Sequence, residues 1–213
     1  MKISIYSPKG GCGKTPLAIN FAVDKGYALA TNESFDAFSG FFDDDLLLFV
    51  AADEEFPEIP SDIDVVFDLA GTMSKNDYST LSAIQQSDVV IVPIWNNRLS
   101  VLGGLRAIQS VHAIGRPVIV VATKLAAKTK KKGQNWIESE DYQAVFSAVS
   151  SLQDELGYMP AVLPLKYSEV FETVLGECVS VEVLASKSGL AKYTHRELLE
   201  QFKDLYQEVE KHG

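Results

Sequence analysis

The sequence predicts an α/β fold in which a doubly wound, mostly parallel sheet is flanked by helices. Short apolar runs alternate with segments of helical periodicity along most of the chain, which is typical of a parallel sheet. The runs 88–93 and 116–122 are almost continuously apolar, as strands buried on both faces are. A glycine-rich turn also separates the first strand from the first helix. With 213 residues, 46% of them hydrophobic, we expect a single domain spanning residues 1–213.

Each element is predicted from a local pattern. The first helix is expected to end near Lys25, because Gly26 follows it. The apolar run 46–50 fits a short buried strand or a helical turn equally well. The predicted strands are 3–6, 27–31, 64–68, 88–93, 116–122 and 161–165, and the predicted helices are 17–25, 76–87, 99–114, 139–156 and 194–211, with a loop and short helix at 167–175 and no assignment for 176–188.

Residues 9–15, with the sequence Lys-Gly-Gly-Cys-Gly-Lys-Thr, form the most informative stretch. A strand, a glycine-rich turn and a helix in succession are the context of a phosphate-binding loop. Glycines let successive N–H groups converge on an anion, and the helix N-terminus adds partial positive charge. Lys14 would reach the β- and γ-phosphates of a nucleotide, and the Thr15 hydroxyl would bind Mg²⁺. The other expected nucleotide contacts are Lys9, Gly10, Gly11, Cys12, Gly13 and Pro16, the last tolerated in the first helical turn.

A second informative stretch is the apolar run that ends at Asp68. In an open α/β sheet the end of such a strand lies beside the phosphate-binding loop, so Asp68 is expected to hold Mg²⁺. Gly71 would let the following loop approach the phosphates. Further along, Lys124 is expected to contact the nucleotide. A guanine-specific protein would carry Asn-Lys-x-Asp there, and Ala126 in place of the Asp favours ATP.

Charge is distributed unevenly along the chain. The net charge of −10 by itself argues against nucleic-acid binding. Residues 26–74 contain twelve acids and no Lys or Arg, whereas residues 124–132 contain five lysines in nine positions. The lysine cluster is either a solvated loop or a surface that contacts DNA phosphates without reading sequence. The lysines assigned to DNA are Lys128, Lys130, Lys131 and Lys132.

Two cysteines do not make a disulfide framework, and the N-terminal segment lacks the pattern of a signal peptide. No apolar run approaches the length of a membrane span, so we expect no such span. Because Cys12 lies in the predicted phosphate loop, we expect a reducing, cytoplasmic environment.

The loop resembles the deviant Walker A loop of the ParA/MinD group of ATPases, in which a second lysine, here Lys9, precedes the glycines. Pro8 stands where the general loop pattern has its first glycine. The stretches 64–71, 76–87 and 87–93 and the strand ending at Lys124 follow that group's order, closest to the short plasmid-partition ParA proteins. The resemblance implies Mg²⁺ and ATP as cofactors and a homodimer with ATP sandwiched between the subunits. It also implies non-specific DNA binding by that dimer, nucleoid association, and a small centromere-binding adaptor protein that stimulates hydrolysis.

By the same resemblance, Lys9 would reach across the dimer to the partner's phosphates, so Lys9 and Lys14 are the expected catalytic lysines. The group's second strand usually ends in Asp-x-Asp, and the matching residues here are Asn32 and Ser34. We therefore hypothesise weak intrinsic hydrolysis, or use of Asp36 as the catalytic carboxylate.

Two functions remain open from the sequence. The first is an ATP-driven DNA-segregation switch, favoured by the lysine cluster. The second is a nucleotide-dependent positioning or conjugation-accessory adaptor with little hydrolysis, favoured by the missing Asp-x-Asp.

Overall fold

A computed structural model of the chain describes residues 1–33, 38, 40–71, 77–126 and 135–213. Within these residues, seven strands form one sheet in which every neighbouring pair is parallel. The strands are β1 (Lys2–Ile5), β2 (Ala28–Thr31), β3 (Leu47–Phe49), β4 (Val65–Asp68), β5 (Val89–Trp95), β6 (Val118–Leu125) and β7 (Ala161–Lys166). The helices are α1 (Lys14–Lys25), α2 (Tyr78–Gln86), α3 (Arg98–Ala113), α4 (Glu140–Ser150), α5 (Gln153–Leu156), α6 (Val170–Glu177), α7 (Val181–Ser186) and α8 (Gly189–Glu210).

The strand order is β3-β2-β4-β1-β5-β6-β7. From β1 the chain crosses to β2 on one side, and from β4 it crosses back over β1 to β5 on the other. This reversal creates the crevice at which open α/β sheets bind ligands. Because every pair is parallel, the carboxyl ends of all the strands lie at the same edge of the sheet. The predicted doubly wound sheet is confirmed.

The core has two layers, one on each face of the sheet. On one face α1 and α6 to α8 pack, with Leu17, Phe21 and Phe202 among the buried residues. On the other face α2 to α5 pack, with Ile84, Ile108 and others buried against the strands. The C-terminal helix α8 packs on the domain through a continuous buried stripe, formed by Leu198, Gln201, Phe202, Leu205, Tyr206 and Val209.

Two predictions about single elements are corrected. The run 46–50 contains strand β3, but this strand is not buried, because it pairs only with β2 at the sheet edge and Phe49 is 54% exposed. The single helix predicted for 139–156 is divided into α4 and α5. At the break, the hydroxyls of Ser150 and Ser151 donate to the carbonyls of Phe146 and Ala148. Such side-chain bonds compete with the backbone hydrogen bonds that would continue a helix.

The C-terminal helix α8 also begins earlier than the predicted residue 194. Ser188 caps it by accepting a hydrogen bond from the Ala191 N–H at 3.1 Å. The stretch without a prediction, 176–188, contains helix α7, which Ser180 caps in the same way. Within the described residues, no helix is long and apolar enough to cross a membrane.

Helix α3 packs unusually closely on its neighbours. A Cβ atom at Gly104 would lie 2.5 Å from Ile94 in β5, so only glycine permits this approach. The apolar side chains along this helix are only partly buried. Ile108 is fully buried, whereas Leu99 and Leu102 are 63% and 47% exposed. The N-terminal part of α3 therefore presents apolar side chains to solvent.

Candidate phosphate and metal site

The loop between β1 and α1 has the backbone geometry that its glycines predict. Gly11 and Gly13 have φ values of 73° and 99°, in the left-handed region that other residues avoid. Helix α1 begins at Lys14 and has no side-chain cap. By contrast, α2, α3, α4 and α8 each begin with a capping side chain. The first N–H groups of α1 are thus left for an external acceptor such as phosphate.

Two distant residues hold this loop in place. The Thr123 hydroxyl, near the end of β6, donates to the carbonyl of Cys12 at 2.9 Å. After β4, Gly71 lies so close to the start of the loop that a Cβ atom there would be 3.1 Å from the Pro8 carbonyl oxygen. Gly71 was expected to let its loop approach the phosphates, and in the structure it lies against the backbone of the phosphate-binding loop. Cys12 is 1% exposed and donates to the Lys9 carbonyl, so its thiol is part of the loop's structure.

Lys14 is buried, and its ammonium lies 3.8 Å from the carboxylate of Glu33. Glu33 follows β2 at the same edge of the sheet. Sequence reasoning did not single out this residue, although an acid directly after a buried strand was a usable signal. The carboxylate of Glu33 would therefore compete with phosphate for the Lys14 ammonium.

Asp68 is fully buried at the end of β4, beside Ile5 on β1. The pKa of Asp68 is raised to about 6, chiefly by burial and in smaller part by the nearby Glu33, while the Thr15 hydroxyl and Lys14 oppose the shift. Within the described part of the chain, neither carboxylate oxygen has a well-formed hydrogen bond. A buried carboxylate in this condition is costly unless a cation completes its surroundings.

The chemistry of Thr15 and Asp68, the predicted metal ligands, is compatible with Mg²⁺. Both are oxygen donors, which this ion prefers. Across the described residues, no group of three or more His, Cys, Asp or Glu side chains could hold a metal. An ion at this site would therefore depend on water and on phosphate oxygens for its remaining ligands, as Mg²⁺ commonly does.

These side chains open into one cavity of about 930 Å³. This volume is at the upper end of the roughly 300–1,000 Å³ of small-molecule sites. One end is the loop 10–16 with Asp68, and the other end is largely apolar. The apolar end was not predicted from the sequence, and it is formed by the end of β7 and by α6. Its lining includes Leu165, Tyr167, Phe171 and Leu175.

Lys124 lines the same cavity, as expected of a nucleotide contact. Its backbone is left-handed, with φ at 56°, which is uncommon for a residue other than glycine. Its ammonium lies 4.7 Å from the centre of the Trp95 ring. This cation–π contact holds the side chain at the mouth of the cavity.

Lys9 is different from the other predicted residues, since it is not part of the cavity lining. The chain at Pro8 and Lys9 packs against Gly103 of α3, where an added Cβ atom would be 3.1 Å from the Pro8 ring. The second loop lysine is thus set apart from its own phosphate site. The predicted residues Asp36, Lys128, Lys130, Lys131 and Lys132 lie outside the described residues.

Comparison with protein-family models and with curated protein sequences found no match. Solved structures do match. Apo McdA of Cyanothece is 12% identical and has a TM-score of 0.62, with 99% of this chain and 98% of that one covered. The cell division ATPase MinD of Pyrococcus furiosus is 13% identical with a TM-score of 0.59, covering 95% and 98%. A plasmid partition protein of Borrelia burgdorferi bound to AMPPNP is 14% identical with a TM-score of 0.52, covering 95% and 98%.

All three are of the ParA/MinD type, and this chain has their fold. The resemblance inferred from the loop is therefore confirmed at the level of the fold. At these identities the comparison establishes the fold alone.

Replacing Asp68 with asparagine should stabilise the metal-free protein above pH 6. Because the pKa is raised from 3.8 to about 6 on folding, the free energy of unfolding falls as the pH rises from about 4 to about 6, and the full loss is present above that. We expect Asp68→Asn to gain about 2–3 kcal/mol at pH 8, and the gain to shrink towards pH 4. Chemical unfolding across this range measures it, with exposed Asp204→Asn as control. An equal gain at every pH would contradict the assignment.

Removing the charge of Glu33 should strengthen nucleotide binding. In Glu33→Gln, the Lys14 ammonium no longer has to leave a carboxylate, and the phosphates meet less negative charge. We expect the Kd for Mg-ADP to fall by about threefold to tenfold, the scale of a partly exposed ion pair. Titration calorimetry measures this change. Glu172→Gln is the matched control, because it removes the same charge from the α6 wall of the cavity. Weaker binding in Glu33→Gln would refute the argument.

Proposed function

We propose that this chain binds Mg-ATP and hydrolyses it to ADP and phosphate, as an ATP-dependent dimer switch in plasmid or chromosome partition. One observation carries the proposal: Lys14, Thr15 and Asp68 come together at one end of a single cavity. A cation-binding carboxylate beside a lysine and an uncapped helix N-terminus is suited to a magnesium-bound phosphate. The AMPPNP complex of the Borrelia partition protein supports a nucleotide ligand.

Each residue has a defined part in this proposal. The N–H groups of the loop 10–15 bind the phosphate oxygens, and Lys14 bridges the β- and γ-phosphates. Thr15 and Asp68 hold Mg²⁺, which would neutralise charge on the transferring phosphoryl group. The apolar end of the cavity, including Tyr167 and Phe171, receives the nucleoside. Because Ala126 lacks the carboxylate of a guanine site, ATP is the expected nucleotide.

The dimer is supported by the position of Lys9 and by the surface around it. Lys9 lies outside its own cavity, against Gly103 of α3. The same helix exposes Leu99 and Leu102, and Trp95 precedes it with 37% of its surface exposed. An exposed apolar patch beside a half-buried lysine that does not line its own cavity suits a second copy of the chain. Lys9 would then reach the phosphates held by the partner and stabilise their charge in trans.

The dimer is tested by the size of the protein in solution with Mg-AMPPNP and with Mg-ADP. We expect a dimer with Mg-AMPPNP alone, and its loss in Lys9→Ala, because the lysine joins the two nucleotide sites. Light scattering after size exclusion measures the mass. Lys192→Ala, which changes an exposed lysine on α8, should leave the dimer intact. A monomer under every condition would refute the switch.

We assign non-specific DNA binding to Lys128, Lys130, Lys131 and Lys132. Five lysines in nine positions form a local basic segment in a chain of net charge −10. Such a segment contacts phosphates without reading sequence. In this proposal the ATP-bound dimer associates with the nucleoid, and a small centromere-binding adaptor stimulates hydrolysis. The ADP-bound protein is free in the cytoplasm.

Reversing the charges of Lys130, Lys131 and Lys132 to Glu should abolish DNA binding. The interaction is electrostatic, so each lost phosphate contact should reduce the slope of log K for DNA binding against log salt concentration by about 0.9. Fluorescence anisotropy with random-sequence duplexes, with and without Mg-AMPPNP, measures both quantities. Lys192→Glu with Lys203→Glu is the control, because it reverses exposed lysines on α8. Unchanged binding in the triple variant would exclude these lysines.

A positioning or conjugation-accessory adaptor with little hydrolysis is the second candidate. It is favoured by the neutral residues Asn32 and Ser34 where the ParA/MinD group usually has Asp-x-Asp. The two candidates share the nucleotide site and differ in turnover, for which Asp36 remains the proposed carboxylate.

A further inference from the structure

Asn32 is buried at the end of β2, and it lines the cavity next to Glu33. It is 3% exposed, and the nucleotide chemistry proposed above gives it no part. Its side chain nevertheless makes three hydrogen bonds to two other parts of the chain. Buried amides so fully bonded fix the relative position of the segments that they join.

The orientation of this amide follows from its partners. The Ala70 N–H donates to Asn32 Oδ1 at 2.6 Å, and a backbone N–H can only donate. The Nδ2 group must therefore face the other way, towards α2. There it donates to Ser79 Oγ at 2.7 Å and to Thr80 Oγ1 at 3.3 Å. A single side chain thus connects the segment after β4 to the first turn of α2.

The first end of this connection is the wall of the phosphate site. Ala70 lies between Asp68, the proposed magnesium ligand, and Gly71, which packs on the loop backbone. The Thr31 hydroxyl also donates to the Asp68 carbonyl at 3.0 Å. The end of β2 therefore holds the backbone of residues 68–70 at two successive points. A change in this wall on phosphate binding would act directly on Asn32.

The second end is the start of an outward-facing helix. Ser79 is fully buried beneath the first turn of α2, whereas Tyr78 and Leu81 are 47% and 43% exposed. The peptide 72–76 that joins Gly71 to this helix lies outside the described residues. Asn32 is thus a link through space that does not depend on that peptide.

We propose that Asn32 is a positioning residue that transmits occupancy of the phosphate site to α2. Binding of a nucleoside triphosphate with Mg²⁺ immobilises residues 68–71, and the Asn32 amide carries that order to Ser79 and Thr80. The exposed start of α2 thereby becomes more ordered in the nucleotide-bound state. This inference rests on the proposed nucleotide binding.

The amide is chemically suited to this role, and a carboxylate is not. Aspartate could accept from Ala70, but it has no hydrogen to donate to α2. The Ser79 hydroxyl would then have to turn away from the Ala52 carbonyl, to which it donates at 3.2 Å. A carboxylate would also add negative charge to a wall that already contains Glu33 and Asp68. Asparagine satisfies all three partners without that charge.

Hydrogen exchange followed by mass spectrometry, with and without Mg-AMPPNP, tests the link. The variants are Asn32→Ala and, since that protein risks failing to fold, Ser79→Ala with Thr80→Val, which removes only the α2 side. Ser82→Ala is the matched control. It lies on the same helix and loses a different hydrogen bond, from the Phe56 N–H at 2.9 Å.

In the parent and in Ser82→Ala, we expect nucleotide to slow exchange both at 10–15 and at 78–86, the latter by about tenfold or more. In the link variants, which are Asn32→Ala and Ser79→Ala with Thr80→Val, protection by nucleotide at 10–15 should remain and the added protection at 78–86 should disappear. If the role of Asn32 were merely structural, the link variants would speed exchange in α2 equally with and without nucleotide. The ratio of the exchange rates without and with nucleotide would then be the same as in the parent.

Two results would overturn the inference, and they are distinguishable. In the first result, nucleotide protects 10–15 in the parent, but it either does not protect 78–86 or protects 78–86 equally in the parent and in the link variants. Asn32 then does not transmit occupancy, and the proposed nucleotide site stands. If 10–15 is not protected in the parent, the proposed nucleotide binding itself fails, and this inference fails with it.

Discussion

The structure depends on one electrostatic constraint at the carboxyl edge of the sheet. Parallel pairing places the end of β4 against β1, so the carboxylate of Asp68 lies buried beside the phosphate-binding loop. Burial raises its pKa, and within the described residues neither oxygen has a well-formed hydrogen bond. Lys14 meanwhile faces Glu33 at 3.8 Å. A metal and a phosphate would satisfy these charges better than the charges satisfy each other, so the residues of this site are suited to ligand binding at a cost in stability.

The surrounding elements maintain this arrangement. The loop keeps its left-handed glycines and an uncapped helix start because Thr123 and Gly71 support its backbone from neighbouring strands. Residues at or just after the carboxyl ends of β1, β2, β4, β6 and β7 all contribute to one cavity, so no single segment of the chain contains the site. This is the general arrangement of open α/β sheets, where ligands bind beyond the strand ends. Asn32 extends the same network outward to α2.

Two exposed surfaces are connected to the cavity in different ways. The start of α3 exposes leucines beside the chain at Lys9, while α2 is joined to the cavity wall by hydrogen bonds. The first surface is apolar and suits a second copy of the chain. The second is held by a polar network, whose geometry responds to small displacements of the residues it joins. Nucleotide binding would act on both from the same site.

The sequence by itself determined the α/β class, the phosphate-binding loop and the placing of Asp68 at a strand end. These features are local: a glycine pattern, an apolar run and the order of elements suffice to predict them. Only the tertiary structure decided that the run 46–50 lies at an exposed edge, because the burial of a strand depends on how many neighbours pair with it. It also brought Glu33, Asn32 and Thr123 to the loop. Those residues are distant along the chain, and their contacts exist only because parallel strands align their carboxyl ends.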